Sequence, residues 1–117
     1  MCKVRLWIAL GLLTAWDGNA VAETVDVKYR GPVDLSAFEC TDTPRSSFVR
    51  RVCYDAEQSY MVIKLQGAYY HYCEIDEQTV AALLSADSIG RFFNAHIKGT
   101  GSDGPFDCRT HPAPSYD

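Results

Sequence analysis

Apolar residues recur along this chain with three different periods, and each period forecasts a different structure. Leu6 to Trp16 (LWIALGLLTAW) is apolar throughout except for Thr14. Between Ser46 and Cys73 apolar residues alternate or come in short bursts bounded by turn formers, as β-strands require. From Asp76 onward they return every three or four positions, which is the spacing of one helix face.

The middle region resolves into three strands. Ser46 to Tyr54 reads as the first, with Phe48, Val52 and Tyr54 on one face and Val49, Arg51 and Cys53 on the other. Asp55 to Ser59 is a polar turn. Tyr60 to Leu65 (YMVIKL) is the most hydrophobic stretch after the first apolar run and is expected at the centre of the sheet. Gln66-Gly67 then signals a tight turn, the glycine accepting a positive φ. Tyr69 to Cys73 follows as a third strand. Short turns between successive strands make an antiparallel meander. Upstream, Val25, Val27 and Tyr29 alternate with charged residues, which allows an added N-terminal strand before Gly31-Pro32 turns the chain.

The helical region begins at Asp76, a good N-cap, with Glu77 in the first turn where the helix dipole favours an acid. Val80, Leu83 and Leu84 form its apolar stripe. A second helix is expected from Asp87 or Ser88, with Ile89, Phe92, Phe93 and Ile97 on one face and Gly99 as its stop. His96 falls at the border of that face and is expected to be half-buried. The remainder is rich in Gly, Pro and polar residues and has only Cys108 to hold it. The chain beyond Arg109 is therefore expected to be mobile. The fold class implied is α+β, a three-stranded meander, with room for an N-terminal strand, packed against two C-terminal helices.

The first apolar run changes the compartment. Lys3 and Arg5 precede it, Asp17 and Gly18 end it, and Ala20-Val21-Ala22 offers small residues to a peptidase. At eleven residues it is far short of the roughly 20 a membrane span needs. Residues 1–22 read as a signal peptide, so the expected location is periplasmic or secreted. Losing Lys3, Arg5 and Asp17 moves the net charge from −4 to −5. Both tryptophans, Trp7 and Trp16, and Cys2 leave with the same segment.

Cys40, Cys53, Cys73 and Cys108 remain, an even number in a short exported chain, which reads as a disulfide framework. No C-x-x-C or His–His spacing supports metal, and no cofactor motif is present. In a meander, Cys53 and Cys73 stand two strands apart, nearly 10 Å, too far to bridge. Two pairings remain: Cys40–Cys53 with Cys73–Cys108, or Cys40–Cys73 with Cys53–Cys108. The first is preferred, because the leader can fold back beside the first strand as a hairpin.

Taken in order, several local groups resemble the KTSC domain. They are Ser46-Ser47, Val52-Cys53-Tyr54-Asp55, Gly67 with Tyr70-His71-Tyr72, Ala86-Asp87-Ser88-Ile89-Gly90, Phe93-Asn94 and Ile97-Lys98. Tyr70 and Tyr72 match the family's Tyr-x-Tyr mark. The resemblance spans 46–98 and implies a compact β-meander followed by helices. It leaves 23–45 as a leader extension and 99–117 as an irregular tail. The family is named for its occurrence at the C-terminus of some lysyl-tRNA synthetases, and the resemblance therefore also implies RNA binding as an alternative function.

Candidate chemistry gathers on the third strand. Tyr69, Tyr70, His71 and Tyr72 could form an aromatic binding surface, although tyrosine also suits strands through cross-strand packing alone. Alternation puts Tyr70 and Tyr72 on one face and Tyr69, His71 and Cys73 on the other, so half the cluster is expected under the helices. Arg50 and Arg51, with Lys64 and Arg91, could add a basic patch. A net charge of −5 opposes nucleic acid, whose binding is dominated by counterion release. His71 with Ser46, Ser47 or Asp55 suggests a hydrolase triad on paper, but no placement motif accompanies them. The expected function is a non-enzymatic binding module for a protein or envelope component, acting through Tyr70, His71, Tyr72, Arg50 and Arg51.

Overall fold

A computed structural model describes residues 23–98 and 104–116. The expected signal peptide and the Gly99 stop lie outside these residues. Six strands form one sheet: β1 (Thr24–Val27), β2 (Gly31–Asp34), β3 (Glu39–Asp42), β4 (Val49–Asp55), β5 (Tyr60–Leu65) and β6 (Ala68–Tyr72). Their spatial order is β2-β1-β6-β5-β4-β3. The meander β4-β5-β6 is the centre of this sheet. Its three-stranded description is too small, because the leader supplies three further strands, two beyond β6 and one beyond β4.

The leader departs from its simple alternation for local reasons. Tyr29 takes φ 70°, which ends β1 at Val27. Gly31 and Pro32 lie inside β2 instead of turning the chain. Proline is tolerated there because β2 is an edge strand and one side of its backbone has no ladder to supply. The β5–β6 turn differs as well: Gln66, at φ 55°, carries the left-handed conformation in place of Gly67.

The sheet is strongly curled. β2 and β3 occupy opposite edges, yet only Leu35 to Phe38 join them. Five residue steps reach at most about 18 Å, whereas six strands laid flat would set their edges about 24 Å apart. The curl is also visible where Glu23, just before β1, meets Arg51 on β4 at 2.8 Å across two intervening strands. Inside the curl lies one core: Val25, Val27, Val33, Leu35, Cys53, Tyr60, Val62 and Cys73.

The outer face carries a second core and the helices. α1 (Glu77–Ser85) is capped by Asp76, which accepts from the Thr79 N–H at 3.1 Å. α2 (Ile89–Phe92) is capped by Ser88 and continues as a π-helical turn, Phe93–Ile97. Val80, Leu83, Ile89, Phe93 and Ile97 pack on Val49, Val52, Met61 and Ile63. Val49 is on this face, not with Cys53, because the β4–β5 register slips between Val49 and Arg51. Arg50 is the extra residue of a β-bulge, and one extra residue reverses the alternation upstream of it. Thr43 steadies the bulge through its hydroxyl on the Val49 carbonyl and its N–H on the Arg50 carbonyl. The wider π turn likewise leaves His96 exposed, stacked on Phe92 at 4.4 Å, instead of half-buried.

Two disulfides join the leader and tail to the meander. Cys40 pairs with Cys53, directly opposite it across β3–β4, and Cys73 pairs with Cys108. The described part of the tail is irregular, but Cys108 is not its sole anchor. Arg30 donates to the Pro114 carbonyl at 2.6 Å, and the Tyr116 hydroxyl donates to Asp55 at 2.7 Å. Tyr116 also packs against Phe38 and Tyr60. Residues 110–116 are thus seated on the fold, contrary to the expectation of mobility: aromatic and charge-assisted contacts repay the ordering of this segment.

Candidate binding site

The pleat sends successive β6 side chains to opposite faces. Tyr70 and Tyr72 lean on the helix-side core, and Tyr72 meets Phe93 edge-on at 5.6 Å. Tyr69 and Cys73 belong to the inner core. Residues 69–72 are all half-buried, so neither face is bare, and the expected half-free, half-covered arrangement is not found. The reason is that leader and tail cover the face the helices leave open.

What β6 does border is a cleft of about 640 Å³. Tyr70, His71 and Tyr72 form one wall. The tail forms another with Asp107, Cys108 and Arg109; Tyr29 stands at the leader hairpin and Lys98 at the end of the π turn. Asp107 and Arg109 are locked together, the guanidinium reaching the carboxylate at 2.6 Å. That contact, and the Arg109 N–H, hold the Asp107 carboxyl below its usual range.

From the cleft's His71 a partly buried chain of hydrogen bonds runs to the leader. Arg30 donates to the Tyr60 hydroxyl at 2.8 Å, and that hydroxyl lies 2.7 Å from His71 Nδ1. A guanidinium can only donate. Tyr60 therefore accepts from Arg30 and is satisfied best by donating its own O–H to Nδ1, which places the His71 hydrogen on Nε2. Burial, reinforced by Arg30, pushes the His71 pKa down, with Asp107 acting in the opposite sense. The ring is thus kept neutral, with Nε2–H as its remaining donor. His71 is paired with Tyr60 and not with the serines or Asp55. Ser46 accepts from the Phe48 and Val49 N–H groups, and Asp55 receives Tyr116.

This burial has a pH signature. Unfolded, His71 takes up a proton near pH 6.5; folded, it does so only at lower pH. The unfolded state binds more protons in that window, so stability falls as pH drops below 6.5 towards the folded value and is fully present above it. Urea unfolding at pH 7.5 and 5.5 is expected to show this loss, and His71→Gln to reduce the difference. An unchanged difference in the variant would assign the pH dependence elsewhere.

Arg50 and Arg51 do not join the cleft. They line a second, polar pocket of about 450 Å³ with Glu23, Asp42, Lys64 and Tyr69. Glu23 takes Arg51 in a two-pronged pair at 2.8 and 3.0 Å, and the Tyr69 hydroxyl lies 3.2 Å from the same guanidinium. Arg51 in turn holds the Glu23 carboxyl below the usual range. The candidate residues therefore divide between two pockets, with Tyr69 beside one and Tyr70 to Tyr72 beside the other. Sequence patterning missed Tyr29, Arg30, Tyr60, Lys98 and the Asp107–Arg109 pair, because the contacts that matter cross from leader to strand to tail. Among the described residues no cluster of three His, Cys, Asp or Glu side chains is arranged to hold a metal ion. No described helix is long and apolar enough to cross a membrane.

Comparison with known proteins centres on the meander and helices. Residues 45–100 match the family model described as the KTSC domain. A protein of Stutzerimonas stutzeri (strain A1501), described only as an uncharacterized protein, is 42% identical over 55 residues. That alignment covers 46% of this chain and 78% of the relative. The family match contains Tyr70, His71, Tyr72 and Lys98, while Tyr29, Arg30 and the tail wall of the cleft lie outside it.

Proposed function

The chain belongs to the KTSC domain family, and from that premise we propose that it is an exported, non-enzymatic binding module whose cleft along β6 receives an envelope component. The observation that carries this reading is the cleft itself. Three consecutive half-buried β6 residues, two of them tyrosines, border a space of about 640 Å³, within the roughly 300–1,000 Å³ typical of ligand sites. Two disulfides support an oxidising compartment, where such bridges persist. In this reading His71, hydrogen-bonded through Nδ1 to Tyr60, serves as a neutral hydrogen-bonding group at the cleft.

The Arg50 and Arg51 pocket has a smaller part in this proposal, since Glu23 already holds Arg51. The test is capture of envelope components by the immobilised oxidised protein, with identification of what is held. His71→Gln is expected to lower capture of the specific component while the melting temperature at pH 7.5 stays close to wild type. Arg50→Ala is expected to leave capture intact. Equal capture by wild type and His71→Gln would remove the cleft as the binding site.

A further inference from the structure

Resting on the reading of the β6 cleft as a ligand site, we infer that its ligand is a saccharide and that Tyr29 is the clamp that stacks on it. Tyr29 is 91% exposed and is the one large hydrophobic side chain so exposed among the described residues. Its backbone sits at φ 70°, a conformation in which bulky residues are rare and glycine or asparagine the usual occupants. An exposed, backbone-strained aromatic at a hairpin tip contributes nothing to the core that would explain it. It does, however, line the same cleft as Tyr70 and Tyr72. Three tyrosines, one from the leader and two from β6, therefore border a single space.

The polar groups narrow the ligand class. A pyranose ring presents a C–H face that lies on an aromatic ring, and around it a rim of hydroxyls that both donate and accept. The cleft lining combines these tyrosines with His71, the locked Asp107–Arg109 pair and Lys98. An acyl chain would meet those charged groups unfavourably. An extended peptide added to the sheet needs a run of open strand edge. On β6 the Tyr69 carbonyl is taken by the Lys28 N–H, and the Cys73 N–H by the Phe106 carbonyl, which brackets the edge to the stretch between them. Nucleic acid would require many surplus positive charges, whereas Asp107 offsets Arg109 and leaves the cleft lining with Lys98 alone.

The test is titration of the oxidised protein with chitotriose, a β-glucan trimer and a uronic-acid oligomer, followed by tyrosine fluorescence and by nuclear magnetic resonance of the aromatic side chains. Residues 23–117 contain no tryptophan, so tyrosine emission is read without interference in the mature chain. Saturable binding of at least one saccharide is expected. Tyr29→Ala should weaken it roughly tenfold, the loss of one aromatic stack, at an unchanged melting temperature, while Tyr29→Phe should retain it. Saccharide binding that is indifferent to Tyr29→Ala overturns the clamp. No saccharide binding, with capture still sensitive to His71→Gln, overturns the ligand class and leaves the cleft as a site for something else. Loss of both overturns the inference together with the binding reading beneath it.

Discussion

Replacing Cys73 and Cys108 together with alanine is expected to cost the domain about 4 kcal/mol and to unseat its tail. The bridge spans 35 residues, and the chain-entropy model assigns a loop of that length a stabilisation of about 4 kcal/mol. The Cys40–Cys53 bridge spans 13, for which the same model gives about 3 kcal/mol. That shorter loop is also held by the β3–β4 ladder, whereas the tail has only scattered contacts. Urea unfolding of the two double-alanine variants should therefore show the larger loss for Cys73 and Cys108. Saccharide or envelope binding should fail in the same variant, because Asp107, Cys108 and Arg109 form a wall of the cleft. A larger loss on removing Cys40 and Cys53 would refute this account of the tail.

The second large effect is expected on the opposite face. Phe93 is 0% exposed and packs against Phe48 at 6.0 Å and Tyr72 at 5.6 Å. Phe93→Ala leaves a cavity where the π turn meets the sheet and should destabilise by about 4 kcal/mol, in the range for buried phenylalanine. Phe92, half-buried and stacked on the exposed His96, should cost much less when truncated. Thermal unfolding of the two variants separates them. Comparable losses would mean that the core ends at Phe92, contrary to the burial pattern.

Features legible in the sequence are those set by neighbours along the chain. Asp76 and Ser88 cap their helices through contacts three residues away, and the β4-β5-β6 meander uses short turns. The leader was harder to read. β1 meets β6 through one parallel bridge, Val27 with Tyr69, and no local pattern encodes a partner over 40 residues downstream. Arg50 has no sequence mark as a bulge, so strict alternation placed Val49 on the wrong face. The candidate site divides in the same way. Tyr70, His71 and Tyr72 stood out because they are consecutive, while Arg30, Tyr60 and Tyr116 became partners only through the curl of the sheet. Tyr29 did carry a local clue, its place two residues before Gly31 in a charged segment, but alternation with Val25 and Val27 hid it.

The order of the two bridges bears on how the chain matures. The first of the four cysteines after residue 22 joins the second, and the third joins the fourth. A chain threaded from its N-terminus into an oxidising space exposes Cys40 and Cys53 before Cys73, and Cys73 before Cys108. Thiols oxidised in order of arrival meet their native partners directly. A chain oxidised in that order would have little need of a reshuffling enzyme, since no correct pair has to wait while another cysteine passes between its members.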